Sequence, residues 1–245
     1  MKALFIGNND YIDAPLHACV NDAAAMALLL KSFGYADITI LRNATRTEME
    51  FGLRWLAQGT GRKWLHYSGH GTWARAGIDY DKDGQEEDCF IPIDWRTSGI
   101  VGLSALHHLF DSLDQQSRLT CTLDTCHSGS ITRDDMFLLA PYAAPRFQYV
   151  SPLSWEQVVL RRAQQRQPAE NTILLAACKA SETAREIRFP DGFGGLFTRS
   201  LLTSLQPGKT YAEVVKAVQE YVAQTKYEQT PQLNCAERWL HEQIG

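Results

Sequence analysis

The sequence predicts an α/β domain built on a mostly parallel β-sheet of about six strands with helices on both faces. Three observations carry this. Short runs rich in β-branched and aromatic residues alternate with longer stretches whose apolar residues recur at helical spacing. A length of 245 residues with 44% apolar content suffices for a full hydrophobic core. No internal repeat or low-complexity tract points to a repeat architecture.

The elements follow in order. Residues 2–6 form the first strand, which runs into Gly7-Asn8-Asn9. Residues 18–33 form a helix whose clearest part is the Ala- and Leu-rich run after Asp22, with Gly34 as its C′ residue. A strand at 37–41 and a helix at 46–58 come next, then a strand at 63–68 ending in Ser68-Gly69-His70-Gly71. The stretch 72–96 is polar, acidic and aromatic and reads as irregular. Residues 103–113 have helical spacing, and the strand 119–124 ends at Asp124-Thr125-Cys126-His127. Residues 132–168, rich in Pro, Arg and Gln, read as irregular with one helix at 155–164. A strand at 172–177 and helices at 196–205 and 211–224 complete the set, the last two separated by Pro207-Gly208.

Composition excludes several function classes. Lys and Arg total 24 against 28 Asp and Glu, a net charge of -4, which leaves no basic footprint for nucleic acid or an anionic membrane surface. The opening apolar run Ala3-Leu4-Phe5-Ile6 is too short for a signal sequence, and no window approaches the ~18 apolar residues of a spanning helix. Cys19, Cys89, Cys121, Cys126, Cys178 and Cys235 are scattered without close pairing, as reduced thiols are. A cytoplasmic location is the expectation.

In sheets of this kind, chemistry gathers at the carboxyl ends of the strands. Gly69 and Gly71 let the chain turn sharply around His70. About fifty residues later, Cys126 follows another strand end and is trailed by small residues. Adjacent parallel strands would bring the two together. A cysteine at a strand end is by itself usually a small hydrophobe, and the other five cysteines keep that reading. His66 and His127 are less naturally placed than His70. A zinc site from Cys121, Cys126, His127 and His107 lacks the usual ligand spacing.

The ordered set of motifs resembles the metacaspases, caspase-like cysteine peptidases. The boxes around His70 and Cys126 carry the resemblance, with Leu16-His17-Ala18-Cys19-Val20-Asn21-Asp22 as a third motif. Glu86-Glu87-Asp88, Pro92-Ile93-Asp94, Gly194-Gly195-Leu196-Phe197-Thr198 and Gln229-Thr230-Pro231-Gln232-Leu233 extend it over most of the chain, least over 132–168. It implies a caspase-like fold forming a single peptidase domain over 1–245. Within it, 1–131 resembles a large subunit with the catalytic dyad, 132–168 a linker, and 169–245 a small subunit. It also implies an endopeptidase in which Cys126 is the nucleophile and His70 the acid/base, with the backbone N–H groups of Gly71 and Cys126 holding the oxyanion. No third triad member is nominated.

The resemblance further assigns Asp22 and Asp124 to the primary specificity pocket, with Ser68 beside them. Two carboxylates favour a cationic side chain, so protein or peptide substrates with Arg or Lys before the scissile bond are expected, Arg preferred. Asp22 could instead cap the helix that follows it. No cofactor is expected to be required. Calcium, common in the resembled family, meets an incomplete site. Asp79-Tyr80-Asp81-Lys82-Asp83-Gly84 starts like an EF-hand loop but has Phe90 where Glu is needed. Glu87 and Asp88 are weak candidate ligands, and Gly102-Leu103 stands where an acidic pair is expected. The acidic run 79–88 could equally be a solvated loop. Arg161, Arg162 and Arg166 are candidate self-processing sites or solvated arginines of a surface helix. The rival functional readings are a catalytically silent caspase-like module acting in protein–protein interaction, and a nucleotide-binding protein resting only on Gly7-Asn8-Asn9.

Overall fold

In strand β1 (Lys2–Gly7), alternate side chains enter two different cores. Ala3 and Phe5 pack with α1 (Cys19–Ser32), while Leu4 and Ile6 pack with α2 (Arg46–Ala57). The same division runs through β3 (Arg62–Ser68), where Trp64 faces the α1 side and Leu65 and Tyr67 the α2 side. Burial on both faces is what makes these strands apolar along their whole length. The computed structural model describes residues 1–12, 14–75, 86–102, 113–114, 116–125, 171–179 and 182–244, with only the backbone described for 72–75 and 86–88.

With β2 (Asp37–Arg42), β7 (Arg118–Asp124), β8 (Thr172–Ala176) and β11 (Gln232–Asn234), these strands form one six-stranded sheet. Its order is β11-β8-β7-β3-β1-β2, parallel except for β11, as the sequence predicts for the sheet's bulk. The helices α4 (Leu196–Ser204) and α5 (Tyr211–Ala223) join α1 on one face through Phe197, Leu201, Val214 and Val218. The other face is covered by Met49, Leu53 and Leu56 of α2. Capping boxes start two of the helices, with Thr45 and Glu48 at α2 and Thr210 and Glu213 at α5. Gly34 follows α1 with φ of 86°, the left-handed C′ position expected of it.

Three departures from the expected elements have physical reasons. Within 72–96, β4 (Gly71–Arg75) and β5 (Glu86–Phe90) form an antiparallel pair, joined by the short β6 (Val101–Gly102), and a single helical turn, α3 (Trp95–Ser98), lies between. The acidic composition of β5 hides a strand that backbone pairing stabilises. A hairpin of β9 (Glu186–Phe189) and β10 (Gly192–Gly195) precedes α4, its second strand too rich in glycine to read as one. The brief β11 and the closing turn α6 (Glu237–Leu240) also escape a pattern reading. The helices expected at 103–113 and 155–164 fall on residues that lie, but for Leu113, outside the described ones. Among the described residues, no helix is long and apolar enough to cross a membrane.

Candidate active site

The register of the central strands brings the predicted boxes to one edge. Ser68 of β3 pairs with Asp124 of β7, and Gly69 N–H donates to the Asp124 carbonyl at 3.3 Å. His70 and Thr125 therefore leave neighbouring strand ends on the same side of the sheet. Cys126 is the next residue after Thr125 and lies outside the described residues, as do His107, His127, Arg161, Arg162 and Arg166.

His70 is 6% exposed and held from several directions. Its N–H donates to the Tyr11 hydroxyl at 3.1 Å, and its carbonyl accepts from the Tyr67 hydroxyl at 2.6 Å and from Ile91 N–H at 3.2 Å. A side chain at position 69 would collide with those same two hydroxyls, which is why glycine precedes the histidine. The Tyr11 ring lies 4.5 Å from the imidazole. Nε2 is 2.7 Å from the Ala14 carbonyl, which can only accept, so Nε2 carries the proton and Nδ1 is the basic nitrogen of the neutral ring. Ala14 thus supplies the orienting group that the sequence reading left unnamed. A backbone carbonyl has no side-chain signature to betray it.

His66, the nearest rival, is fully buried and bonded to Thr122 Oγ1 at 2.9 Å. Burial holds its pKa down at about 3, so it is a neutral structural group. Asn8 and Asn9 are likewise occupied: Asn8 spans the Ile91 carbonyl and Ala44 N–H, and Asn9 accepts from Val20 N–H. These bonds fasten the loop after β1 rather than leaving donors for a nucleotide.

Beside His70 opens a pocket of about 60 Å³, lined among others by Cys19, Asp22, Ser68, Asp124, Glu186 and Gly195. The predicted specificity residues meet here. Asp22 and Asp124 are 5% and 6% exposed. Asp22 accepts from Ser68 Oγ at 3.0 Å and from Gly195 N–H at 3.1 and 3.2 Å. Its expected alternative as a helix cap is incorrect: α1 starts at Cys19 with Ala18 at the N-cap and no side-chain cap, and Asp22 sits inside the first turn, turned toward the pocket. Asp124 Oδ2 accepts from Thr198 N–H at 2.9 Å and its hydroxyl at 2.7 Å. Both carboxylates therefore bind the start of α4, whose N–H groups and dipole offset part of their charge. A side chain at Gly195 would overlap Asp124 Oδ2 and come within 2.8 Å of Asp22 Oδ2, so glycine is required there.

Electrostatics sharpen this. Burial raises the pKa of Asp22, the neighbouring charge of Asp124 raises it further, and the bonds from Gly195 and Ser68 oppose them. Burial also raises Asp124 against the bonds from Thr198. The Cys19 thiol is pushed up by burial and by the surrounding carboxylates, so it stays protonated and serves as pocket wall. Among the described residues, no Lys or Arg lies in ion-pair reach of Asp22 or Asp124.

The caspase domain family matches residues 1–238. The chain belongs to that family. Membership makes it a cysteine endopeptidase of caspase-like fold, as the motif set implies. Its relatives include Metacaspase-1A of Aspergillus terreus, 24% identical over 96% of this chain and 70% of the relative. Metacaspase-1 of Mycosarcoma maydis is 26% identical over the same shares. Metacaspase-1A of Neurospora crassa reaches 36% over 53% of this chain and 32% of the relative. The crystal structure of a Geobacter sulfurreducens protein superposes with a TM-score of 0.67 at 22% identity, covering 98% of this chain and 96% of that one.

Residues 79–85 of the acidic run considered for calcium lie outside the described residues. Among the described residues no cluster of three or more His, Cys, Asp or Glu could hold a metal. Glu87 and Asp88 lie on β5, next to Cys89, whose partner across the ladder is Gly102, a residue with no side-chain oxygen to offer.

Proposed function

We propose that this caspase-family peptidase uses a Cys126–His70 dyad and cleaves after Arg or Lys, preferring Arg. One observation carries the reading: two buried carboxylates share a small pocket beside His70 with no cation paired to them among the described residues. Two like charges in low dielectric repel each other, and a guanidinium fork relieves that repulsion by bonding both. Lys brings the charge without the fork.

In this mechanism Nδ1 of His70 takes the Cys126 proton, and the sulfur attacks the scissile carbonyl. The N–H groups of Gly71 and Cys126 would receive the oxyanion. His70 then returns the proton to the leaving amine, and water, deprotonated by the same imidazole, hydrolyses the acyl-enzyme. The Ala14 carbonyl keeps the ring in the tautomer this sequence needs. Because the sequence has Phe90 and Gly102-Leu103 where calcium ligands are expected, activity without calcium is the corresponding proposal. Self-processing at Arg161, Arg162 or Arg166, in the linker between the 1–131 and 169–245 parts, is the corresponding proposal for maturation. A cytoplasmic location accords with the thiols of Cys19, Cys121 and Cys235.

The test compares fluorogenic peptides ending in Arg, Lys and Asp, with wild type and Cys126→Ala, in chelator and in millimolar calcium. The reading expects release from Arg and Lys in both media, abolished by the substitution. Cleavage after Asp would overturn the pocket assignment, and no cleavage would favour a silent interaction module.

A further inference from the structure

His70 stands where two sheets meet, and two tyrosines join its backbone to both. The parallel strand β3 ends at Ser68, and the antiparallel ladder of β4 and β5 begins with Gly71 opposite Phe90. The next positions outward are His70 and Ile91. Facing residues of an antiparallel pair can exchange two direct N–H···O bonds. Here one of the two is direct, from Ile91 N–H to the His70 carbonyl at 3.2 Å. The return path runs through a side chain. His70 N–H donates to the Tyr11 hydroxyl at 3.1 Å, and that hydroxyl donates to the Ile91 carbonyl at 2.9 Å.

The Tyr67 hydroxyl closes the arrangement. It donates to the His70 carbonyl at 2.6 Å and lies 3.4 Å from the Tyr11 hydroxyl. Both rings are buried, and Tyr67 stacks on Phe90 with ring centres 4.2 Å apart. Burial raises both phenol pKa values, so the hydroxyls stay protonated and keep their donors. A direct bond at one end and an inserted hydroxyl at the other splay the pair, tilting His70 away from Ile91 on its N–H side. The Tyr11 ring meets the imidazole at 4.5 Å and 51°. Nε2 then reaches the carbonyl of Ala14, a near neighbour of Tyr11 in the sequence.

We propose that Tyr11 and Tyr67 are positioning residues for proton transfer, the Tyr11 hydroxyl acting as a spacer in the ladder that aims the His70 imidazole at the nucleophile. The inference rests on reading His70 as the base of the dyad and extends it to what sets the geometry of that base. Neither tyrosine is among the described residues that line the pocket. Their effect therefore falls on the chemical step and should appear in kcat, with KM nearly unchanged. The His70 carbonyl keeps its direct bond from Ile91 when the Tyr67 hydroxyl is removed, so Tyr11 carries the larger share.

Tyr11→Phe keeps the ring against the imidazole and removes only the hydroxyl. It is expected to lower kcat for an Arg peptide about thirtyfold, with KM within about twofold of wild type. Tyr67→Phe should lower kcat by a smaller factor, about fivefold. Each variant loses a buried bond, so melting temperatures about 2–6 °C lower are expected, with both proteins folded in the assay. Unchanged kcat in folded Tyr11→Phe would overturn the proposal and leave the tyrosines as structural groups. A readout without turnover keeps the test independent of the dyad. NMR of isotopically labelled protein reports which imidazole nitrogen carries the proton, the His70 signals being assigned by their loss in His70→Ala. At a pH where the ring is neutral, wild type should show the proton at Nε2 alone, and Tyr11→Phe a mixture of the two tautomers. That change would sustain the positioning role even if no peptide were cut. The same single tautomer in both proteins would overturn it.

Discussion

Asp124, at the last position of β7, accepts both the N–H and the hydroxyl of Thr198, in the first turn of α4. That contact joins the strand leading to Cys126 to a helix more than seventy residues downstream, and it fixes one wall of the pocket. Thr198→Val removes the hydroxyl and keeps the shape. A buried charge-assisted bond lost in this way costs about 1–2 kcal/mol, or about 3–6 °C of melting temperature in a chain this long. Thermal unfolding should show that drop, together with a higher KM for Arg peptides.

Gly195→Ala should be more damaging. The added methyl overlaps Asp124 and crowds Asp22, and neither buried carboxylate can move far without losing its donors. Loss of hydrolysis after Arg, with destabilisation of about 2–4 kcal/mol in denaturant titration, is the expected outcome. Wild-type activity in Gly195→Ala would show that the pocket is not built around this contact.

The carboxylate pair also sets a pH dependence. Asp22 and Asp124 are held above the ordinary carboxylate range near about 4, so between that value and their raised pKa values the folded state keeps protons that the unfolded state has released. Stability of the unliganded protein therefore falls as pH rises from about 4 toward neutrality. The capping glutamates Glu48 and Glu213 are shifted downward and act below that window, with the opposite sign. Asp22→Asn should flatten the decline and stabilise the empty protein at pH 7 by on the order of 1 kcal/mol. A cationic substrate favours both ionised forms, so KM for an Arg peptide should fall as pH rises through the same window. Parallel melting-versus-pH curves for wild type and Asp22→Asn would contradict this.

The two histidines of β3 and its end should separate cleanly. His70→Ala is expected to lower kcat by about a thousandfold or more with little loss of stability. His66→Ala should cost about 2–3 kcal/mol of stability, since it empties a fully buried site and removes the imidazole's bond to Thr122, while the protein that remains folded stays active. Activity surviving His70→Ala, measured by peptide hydrolysis, would reassign the base.

The parts legible in the sequence are those whose cause is local. Strands β1, β3 and β7 declare themselves by composition, and the boxes ending at His70 and Asp124 by glycine and acid at a strand end. Asp22 and Ser68 are legible only through the resemblance to metacaspases, and their meeting at 3.0 Å depends on β3 lying under α1. Residues whose role is made by distant neighbours were not legible. Ala14 acts through a carbonyl, Glu186 through a bond to the Ala18 N–H at the start of α1, 168 positions away, and Gly195 through space that two carboxylates occupy. Strand β11 has only three residues and exists because β8 offers it an edge.

The most direct test of the central claim is cleavage-site profiling. A peptide library of mixed sequence is digested with wild type and with Cys126→Ala, and the new termini are read by mass spectrometry. The account predicts termini ending in Arg, and less often Lys, with wild type only. Termini ending in Asp or apolar residues, or the same cuts from Cys126→Ala, would contradict it.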